Sequence, residues 1–470
     1  MSTATNSVLT GGSIRRNEAG DVEVRINVFR NGQKLQSSEG ADDIYDFVTG
    51  IEIYESITSS TIEAKLLFND GSGFIGAMTG SEQFRIMIRG TIIDRVYYVR
   101  AYDIEARTRL DKADSFIVNC VSDEFLQNEV TNVFGNSQVV FDSTSSSEIV
   151  EQILKTDQRY IRTQKKIYIE ESTNKQQFIA TNWRPFDCIY WLTQRSVRKA
   201  RKGGTLQNGF LFWENGLGFN FQSIDKMIDN VNNQTESDSN FTTGETKLYT
   251  YVYSTKSSGS DGADQFKLET IVFPEERDFL TGLRNGAWAG FSMGFDPVTV
   301  TQSKMGLSTD MSVNAYRYGI SAVWPKMSHL NEGTAVNPLS QLDQNIKTIV
   351  DYPRRTRYTI LSNQIFDPKF INNPQKNYEE LVELQAYQWM RIESLKNIKL
   401  MVKFPGNLDL YAGHGINIVI PATYKRNNST DIDRKYSGRY VIGGLTHKIV
   451  GSNMTTEALL LKDSIPRKSS

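Results

Sequence analysis

The sequence predicts an α+β chain, predominantly antiparallel β, and three observations carry that expectation. Apolar and polar residues alternate with a period of two towards both ends of the chain, while helical spacing is confined to its interior. At 470 residues the chain is also too long for one compact core, since single cores stop growing at roughly 250 to 300 residues. About two to four domains follow. Charged residues make up 23% and apolar ones 39%, with 24 Phe and 21 Tyr, the composition of a folded chain rich in aromatic strand-formers. Lys plus Arg number 53 against 54 Asp plus Glu, so no global basic field marks nucleic acid as the main ligand.

From Asp21 to about Val121 the stretches VEVRINVFR, IEIYES, IEAKLLFND, FRIMIRG and VYYVRAYDIEAR alternate, split by NGQK, TSS and DGSG turn clusters. Short antiparallel strands in a small barrel or sandwich are expected there. Beyond Cys120 the period changes. Ser145 stands three residues before Glu148, a capping-box spacing, and Ile149, Val150, Ile153 and Leu154 then share a helical face. KKIYIEE reads as a strand, and Pro185 opens a second helix, FDCIYWLTQRSV. After the basic loop RKARKGG, GFLFWENGLGFNFQSID reads as a hairpin, with Asn215 and Gly216 expected to supply positive backbone angles.

The polar stretch 229–245 reads as a linker. KLYTYVYS and FKLETIVF follow as strands around a Ser/Gly-rich stretch, and from Phe273 to about Asn377 the pattern is irregular. Tyr378 to Leu395 is helical, with Val382, Ala386, Trp389 and Met390 on one face and Glu379, Glu380 and Glu383 near its start. IKLMVKF, PGNLDLYAG, HGINIVIPA, GRYVIGGLTHKIV and TTEALLLKDS close the chain as strands. EAKLLFND at 63–70 echoes EALLLKD at 457–463, an echo that either marks a duplicated barrel or reflects how common such strands are.

Catalytic signatures are lacking. A nucleophile needs a positioned base, and the three histidines, His329, His414 and His447, sit in an irregular stretch, a turn and a strand. The sequence holds no HExxH, CxxC, GxxxxGK[ST] or strand-to-helix GxGxxG, so no metal, cofactor or nucleotide site is expected, and no catalytic residue is named. Cys120 and Cys188 lack partner spacing and read as buried small apolar groups. The run Arg195 to Lys202, RSVRKARK, reads either as an anion-contacting cluster or, more plainly, as a solvated helix end. Trp288 and Trp324 fit packing or a sugar site. The N-terminus shows no apolar signal region and no run of apolar residues spans a membrane, so the sequons at Asn233, Asn240, Asn428 and Asn453 carry no weight.

Three groups of motifs in shared order resemble the baseplate hub subunit of contractile-tailed, T-even-like bacteriophages and related tail hub proteins. They are RPFDCIYWLTQRS with GFLFWENGLGFNFQSID; GLRNGAWAGFSMGFDPVTVT; and VKFPGNLDLYAGHGINIVIPA with SGRYVIGGLTHKIV and TTEALLLKDS. The resemblance implies two small tube-like β-barrel domains, an α/β domain and an irregular, helical insertion. Its boundaries would be 1–121 for the first barrel, 122–240 for the α/β domain, 241–272 with 391–470 for a discontinuous second barrel, and 273–390 for the insertion.

It further implies a non-enzymatic homotrimer in the virion baseplate, assembled in the host cytoplasm. The trimer would join a hexameric tail tube to a trimeric central spike and contact tape measure and wedge proteins. DNA would pass through its lumen without specific binding, and nothing would insert into a membrane. A carbohydrate-binding or peptidoglycan-degrading tail protein is the alternative, and the hub of a contractile injection machine other than a phage is a third reading.

Overall fold

The computed structural model describes residues 19–36, 42–133, 140–199, 207–235, 247–254, 263–274, 279–295, 316–331, 334–353, 355–360, 368–370, 372–422 and 432–466. Parts of several expectations lie outside these residues: most of the N-terminal stretch, the RKARKGG loop from 200, the linker from 236, the Ser/Gly-rich stretch at 255–262, the segment from 296, and Asn240 and Asn428.

Antiparallel strands dominate. The first module consists of β1 (Glu23–Arg30), β2 (Val48–Ser56), β3 (Glu63–Asp70), β4 (Gln83–Arg89), β5 (Asp94–Leu110) and β6 (Ala113–Val121). They hydrogen-bond in the order β1-β4-β5-β6-β3-β2, each pair antiparallel. The reason is legible in β3, where exposed and buried residues alternate at every position of EAKLLFND. Ala64, Leu66 and Phe68 point to one side and pack with Ile26, Ile51, Ile86, Val99 and Val118 from the other five strands. One apolar cluster thus curls the whole ladder around itself.

An α/β unit follows, made of α1 (Asp123–Val130), β7 (Val140–Ser145), α2 (Ser146–Glu151), β8 (Lys166–Ile169), β9 (Lys175–Ile179), α3 (Pro185–Thr193), β10 (Phe210–Asn215), β11 (Gly218–Ser223) and α4 (Ile224–Asn233). The Ser145–Glu148 capping box forms as the spacing predicts, and the four apolar residues behind it are buried. β10 and β11 pair as the predicted hairpin and β8 joins β11 in parallel. The turn itself differs from expectation. Asn215 is the last strand residue, paired with Gly218, so the loop residues are Gly216 and Leu217, and neither Asn215 nor Gly216 has a positive φ. The Asn215 side chain instead accepts the Leu217 N–H at 3.0 Å and donates to the Ala412 carbonyl at 2.9 Å.

A second module is assembled from both sides of an insertion: β12 (Tyr249–Tyr253), β13 (Thr270–Val272), and, after the insertion, β17 (Ile398–Pro405), β18 (Gly415–Val419), β19 (Gly438–Val450) and β20 (Asn453–Lys462). Its order is β12-β18-β19-β20-β17-β13, which repeats that of the first module strand for strand. The register repeats as well, apart from a second irregularity of β5 between Glu105 and Thr108 that β19 lacks. β4 pairs with β5 as far as Arg100, the pairing of β5 with β6 then skips Tyr102, and it resumes at Asp103. Correspondingly, β18 pairs with β19 as far as Val441, and the pairing of β19 with β20 skips Gly443 and resumes at Gly444. Two β-bulges at one structural address are a stronger mark of duplication than strand order, because each inserts an unpaired residue at a defined register.

Differences are equally definite. β1 runs antiparallel to β4, whereas β12 runs parallel to β18. Residues 57–62 join β2 to β3, but the corresponding connection from β13 to β17 carries the insertion, residues 273–397. Neither ladder closes as an unbroken barrel among the described residues: the Ile44 N–H donates to Ile26 in the first module, and Lys267–Leu268 pairs with β12 in the second. The echo between 63–70 and 457–463 is not the trace of this duplication. It matches β3 with β20, while the topological partners are β3 with β17 and β6 with β20.

The insertion is more regular than its sequence suggests. α5 (Phe279–Asn285), α6 (Gln344–Val350) and α7 (Pro374–Leu395) surround a sheet of β14 (Ala289–Phe295), β15 (Tyr316–Gly319) and β16 (Arg355–Ile360). β14 hides from periodicity because it uses small residues: a Cβ at Gly290 would lie 2.5 Å from the Tyr318 hydroxyl and 2.7 Å from the Arg355 carbonyl. α7 begins at Pro374 behind an Asn373 cap, four residues before the predicted start. PGNLDLYAG, expected as a strand, forms β17's end and an irregular crossing in which Leu408 enters the first module's core and Leu410 the second's.

Candidate functional site

The two modules share one continuous ladder. β2 pairs antiparallel with the second half of β19, from Ser56 opposite Gly444 to Ile51 opposite Ile449. The result is an eight-strand run, β5-β6-β3-β2-β19-β20-β17-β13. Its outward face mixes ion pairs with exposed apolar groups: Lys448 lies 3.0 Å from Glu457 and Lys403 3.6 Å from Glu269, while Leu67, Met401 and Leu459 are exposed among them. A groove of roughly 560 Å³ crosses this face, lined among others by Tyr54, Thr270, Met401, Leu445 and Leu459. At one end the later part of β5, beyond its pairing with β4, and at the other end β13 are edges that no further strand covers among the described residues.

Buried ionic clusters hold the other units against this platform. The Arg391 guanidinium of α7 is fully buried, 3.2 Å from Asp225 of α4 and 3.2 Å from Asp463 beyond β20, and donates to the Ser328 carbonyl at 2.8 Å. Tyr387, one helical turn away, donates to Asp225 at 2.7 Å, and the Asp463 carboxylate accepts the Leu330 N–H at 3.1 Å. Burial pulls the Arg391 pKa down, but the two carboxylates outweigh it and the net shift is upward. Burial alone would raise the Asp463 carboxyl; its contacts with His329 and Arg391 hold it below the usual range. On the other side, Lys165 bridges Glu124 and Glu214 at 2.6 Å each, and Glu214 accepts the Ile62 N–H at 3.1 Å, fastening the α/β unit to the β2–β3 connection.

Glu55 of β2 accepts the Gly216 N–H at 2.8 Å and the Ala412 N–H at 3.3 Å, joining three segments. Burial, partly opposed by Arg95, pushes its pKa from 4.5 up to about 7. A carboxyl whose pKa is raised on folding stabilises the protein below its unfolded value and loses that contribution as pH climbs through the folded one. Between pH 4.5 and 7 the protein should therefore lose stability through this group, by at most about 3 kcal/mol. Urea midpoints at pH 5 and pH 8 should differ less in Glu55→Gln than in the parent. An equal pH dependence in both would refute the assignment.

The residues singled out by sequence fall mostly into packing roles. His447 is fully buried with Nδ1 2.9 Å from the Thr456 hydroxyl, and burial lowers its pKa to about 3. His329 stacks on Trp324 with centroids 3.8 Å apart and contacts Asp463 at 2.8 Å. His414 lies beside Tyr411, and its Nδ1 is 3.3 Å from Gln234. Cys120 and Cys188 are buried, the latter thiol pushed up to about 12. Trp288 is buried in the insertion's core.

The basic run needs correction. α3 ends at Thr193, Arg195 lies over the Trp191 ring at 4.0 Å, and Arg198 is buried between Glu170 at 2.9 Å and Asp229 at 3.1 Å. It is no uniformly solvated helix end, because its carboxylate partners come from β8's end and α4, which sequence distance conceals. The Arg391 cluster is likewise built from residues far apart in sequence. Its one sequence signal is an arginine on the apolar face that Tyr387 and Met390 share.

A duplicated β module on a continuous ladder, with helical units fixed to it by buried charge, defines the architecture of the chain. Solved structures with a similar fold include tail proteins. The tail protein from Neisseria meningitidis MC58 is matched over 94% of this chain and 97% of its own, with a TM-score of 0.52 at 9% identity. The 43 kDa tail protein of prophage MuSo2 from Shewanella oneidensis is matched over 94% of this chain and 100% of its own, with a TM-score of 0.48 at 10% identity. An E. coli component of the type VI secretion system with structural similarity to T4 bacteriophage tail proteins is matched over 90% of this chain and 76% of its own, with a TM-score of 0.41 at 9% identity. At such identities the likeness is one of fold. No protein-family model and no curated protein matches the sequence.

Proposed function

We propose that the chain is a structural, non-enzymatic subunit of the baseplate hub of a contractile tail. The observation that supports this most is the repeated strand order with its repeated bulge. Three copies of a chain with two equivalent modules present six near-equivalent surfaces, so a threefold particle matches a sixfold tube on one side and a threefold spike on the other. On this reading the modules at 1–121 and at 241–272 with 391–470 are tube-like barrels around a channel that passes DNA or the tape measure. The α/β domain at 122–240 and the insertion at 273–390 then face spike and wedge proteins. The shared fold with a tail protein supports placement in the virion tail.

Light scattering at micromolar concentration tests the reading. The expected mass is three chains, with a ring and central opening in negative-stain images. A monodisperse single chain would count decisively against it. Clearing of peptidoglycan or selective retention on a glycan array would favour the carbohydrate-directed alternative.

A further inference from the structure

The sheet of the insertion ends in a strand edge. β14 lies between β15 and β16, and β16 pairs in parallel with β14 from Arg355 to Ile360, while its other side meets no strand among the described residues. Such an edge is a template for one more strand. A groove of roughly 670 Å³ lies along it, lined by Asn285, Arg355, Thr356, Arg357, Tyr358 and Trp389. The Trp389 indole is fixed there: its Nε1–H donates to the Gly286 carbonyl at 3.1 Å, and the Arg357 guanidinium lies over its ring, 3.4 Å from the centroid. Tyr358 is 67% exposed. Arginine, tyrosine and tryptophan are the residues enriched where proteins dock on one another.

Charge separates a docking edge from one that is merely shielded. Charged side chains that only blunt an edge stay in water. Arg357 is instead half-buried against Trp389, and burial pulls its pKa down although Tyr318 and Glu393 oppose it. Glu393 is itself paired with Lys396 at 3.2 Å, and neither Arg355 nor Arg357 forms an ion pair with a carboxylate among the described residues. The two guanidiniums leave the same face of β16 two residues apart, about 6.5 Å along the strand. From this we infer that β16 takes up an extended acidic segment of another protein as an added strand, with carboxylates at alternate positions meeting Arg355 and Arg357. Main-chain hydrogen bonds to the edge supply the hold, and side chains at alternate positions supply the selectivity. A carboxylate suits both arginines because it accepts two parallel N–H bonds from a guanidinium. The inference stands on the insertion alone and is independent of the hub reading.

The full chain is titrated against a fluorescent peptide of about nine residues that alternates Thr and Glu, long enough to span β16. Two control peptides accompany it: one with Gln for every Glu, and one of equal charge with two adjacent prolines at its centre, which breaks an added strand. Anisotropy should show saturable binding that weakens with salt and is at least about tenfold tighter than for either control. Arg355→Glu should weaken it at least about tenfold, and Arg355→Gln by less. Should the charge reversal melt before the parent, the glutamine variant carries the comparison. A probe that stays free at about 100 μM parent chain overturns the inference, as does equal binding of the proline control or unchanged affinity in both variants. An oligothymidylate that binds as tightly overturns the peptide class. A particle mass that falls in Arg355→Glu assigns the groove to a second copy of this chain and likewise overturns it. A parent of single-chain mass that still binds the probe removes the hub reading and leaves this one standing.

Discussion

Replacing Arg391 with alanine should cost on the order of 3 to 5 kcal/mol, because it strands two buried carboxylates. Asp225 and Asp463 each face the guanidinium at 3.2 Å, and neither is exposed. Lost packing of the aliphatic stem adds to this. The three segments that meet there, α4, α7 and the end of β20, belong to three different parts of the chain, so the loss should appear as earlier separation of units rather than a uniform weakening. The readout is an apparent thermal midpoint lowered by about 5 °C or more, together with protease cleavage in the insertion at temperatures where the parent resists. A variant that melts with the parent would show that the cluster is dispensable.

Trp213→Ala is expected to be comparably damaging. The indole is fully buried and donates to the Ala412 carbonyl at 3.0 Å. It sits in a cluster with Ile57, Met227, Leu395, Val441 and Leu461, where the α/β unit, α7 and both modules converge. Gly413, with φ of +88°, comes so close that a Cβ there would lie 2.5 Å from the ring. Truncating a buried tryptophan costs about 3 to 5 kcal/mol, and the lost hydrogen bond adds about 1 kcal/mol, although the Ala412 carbonyl keeps the Asn215 amide as a donor at 2.9 Å. Urea denaturation followed by tyrosine fluorescence should show the midpoint fall; substitution by phenylalanine should restore most of it. A phenylalanine variant no better than alanine would place the cost in the hydrogen bond instead of the volume.

What could be read from sequence was what local chemistry decides. Strict alternation gave β3, and a serine with a glutamate three residues on gave the start of α2. What escaped were features set by distant contacts. β14 uses glycine where a neighbouring hydroxyl and carbonyl crowd the backbone, which erases the pattern that announces a strand. Arg198 looked solvated because its partners, Glu170 and Asp229, are remote in sequence. The duplication itself left no usable trace in residue identity. Tyr102 and Gly443 occupy the same bulge yet share no side-chain chemistry, and the one visible echo joined strands that are not counterparts.

The unequal connections between otherwise matching strands have a consequence of their own. In one module six residues, 57–62, turn the corner; in its twin the same corner holds 273–397. Any closed arrangement that alternates the two modules therefore carries bulk at every second station only. Its inner rim can be uniform while its periphery is coarser by a factor of two, so a neighbour touching the rim and a neighbour touching the periphery would count different numbers of seats on the same object.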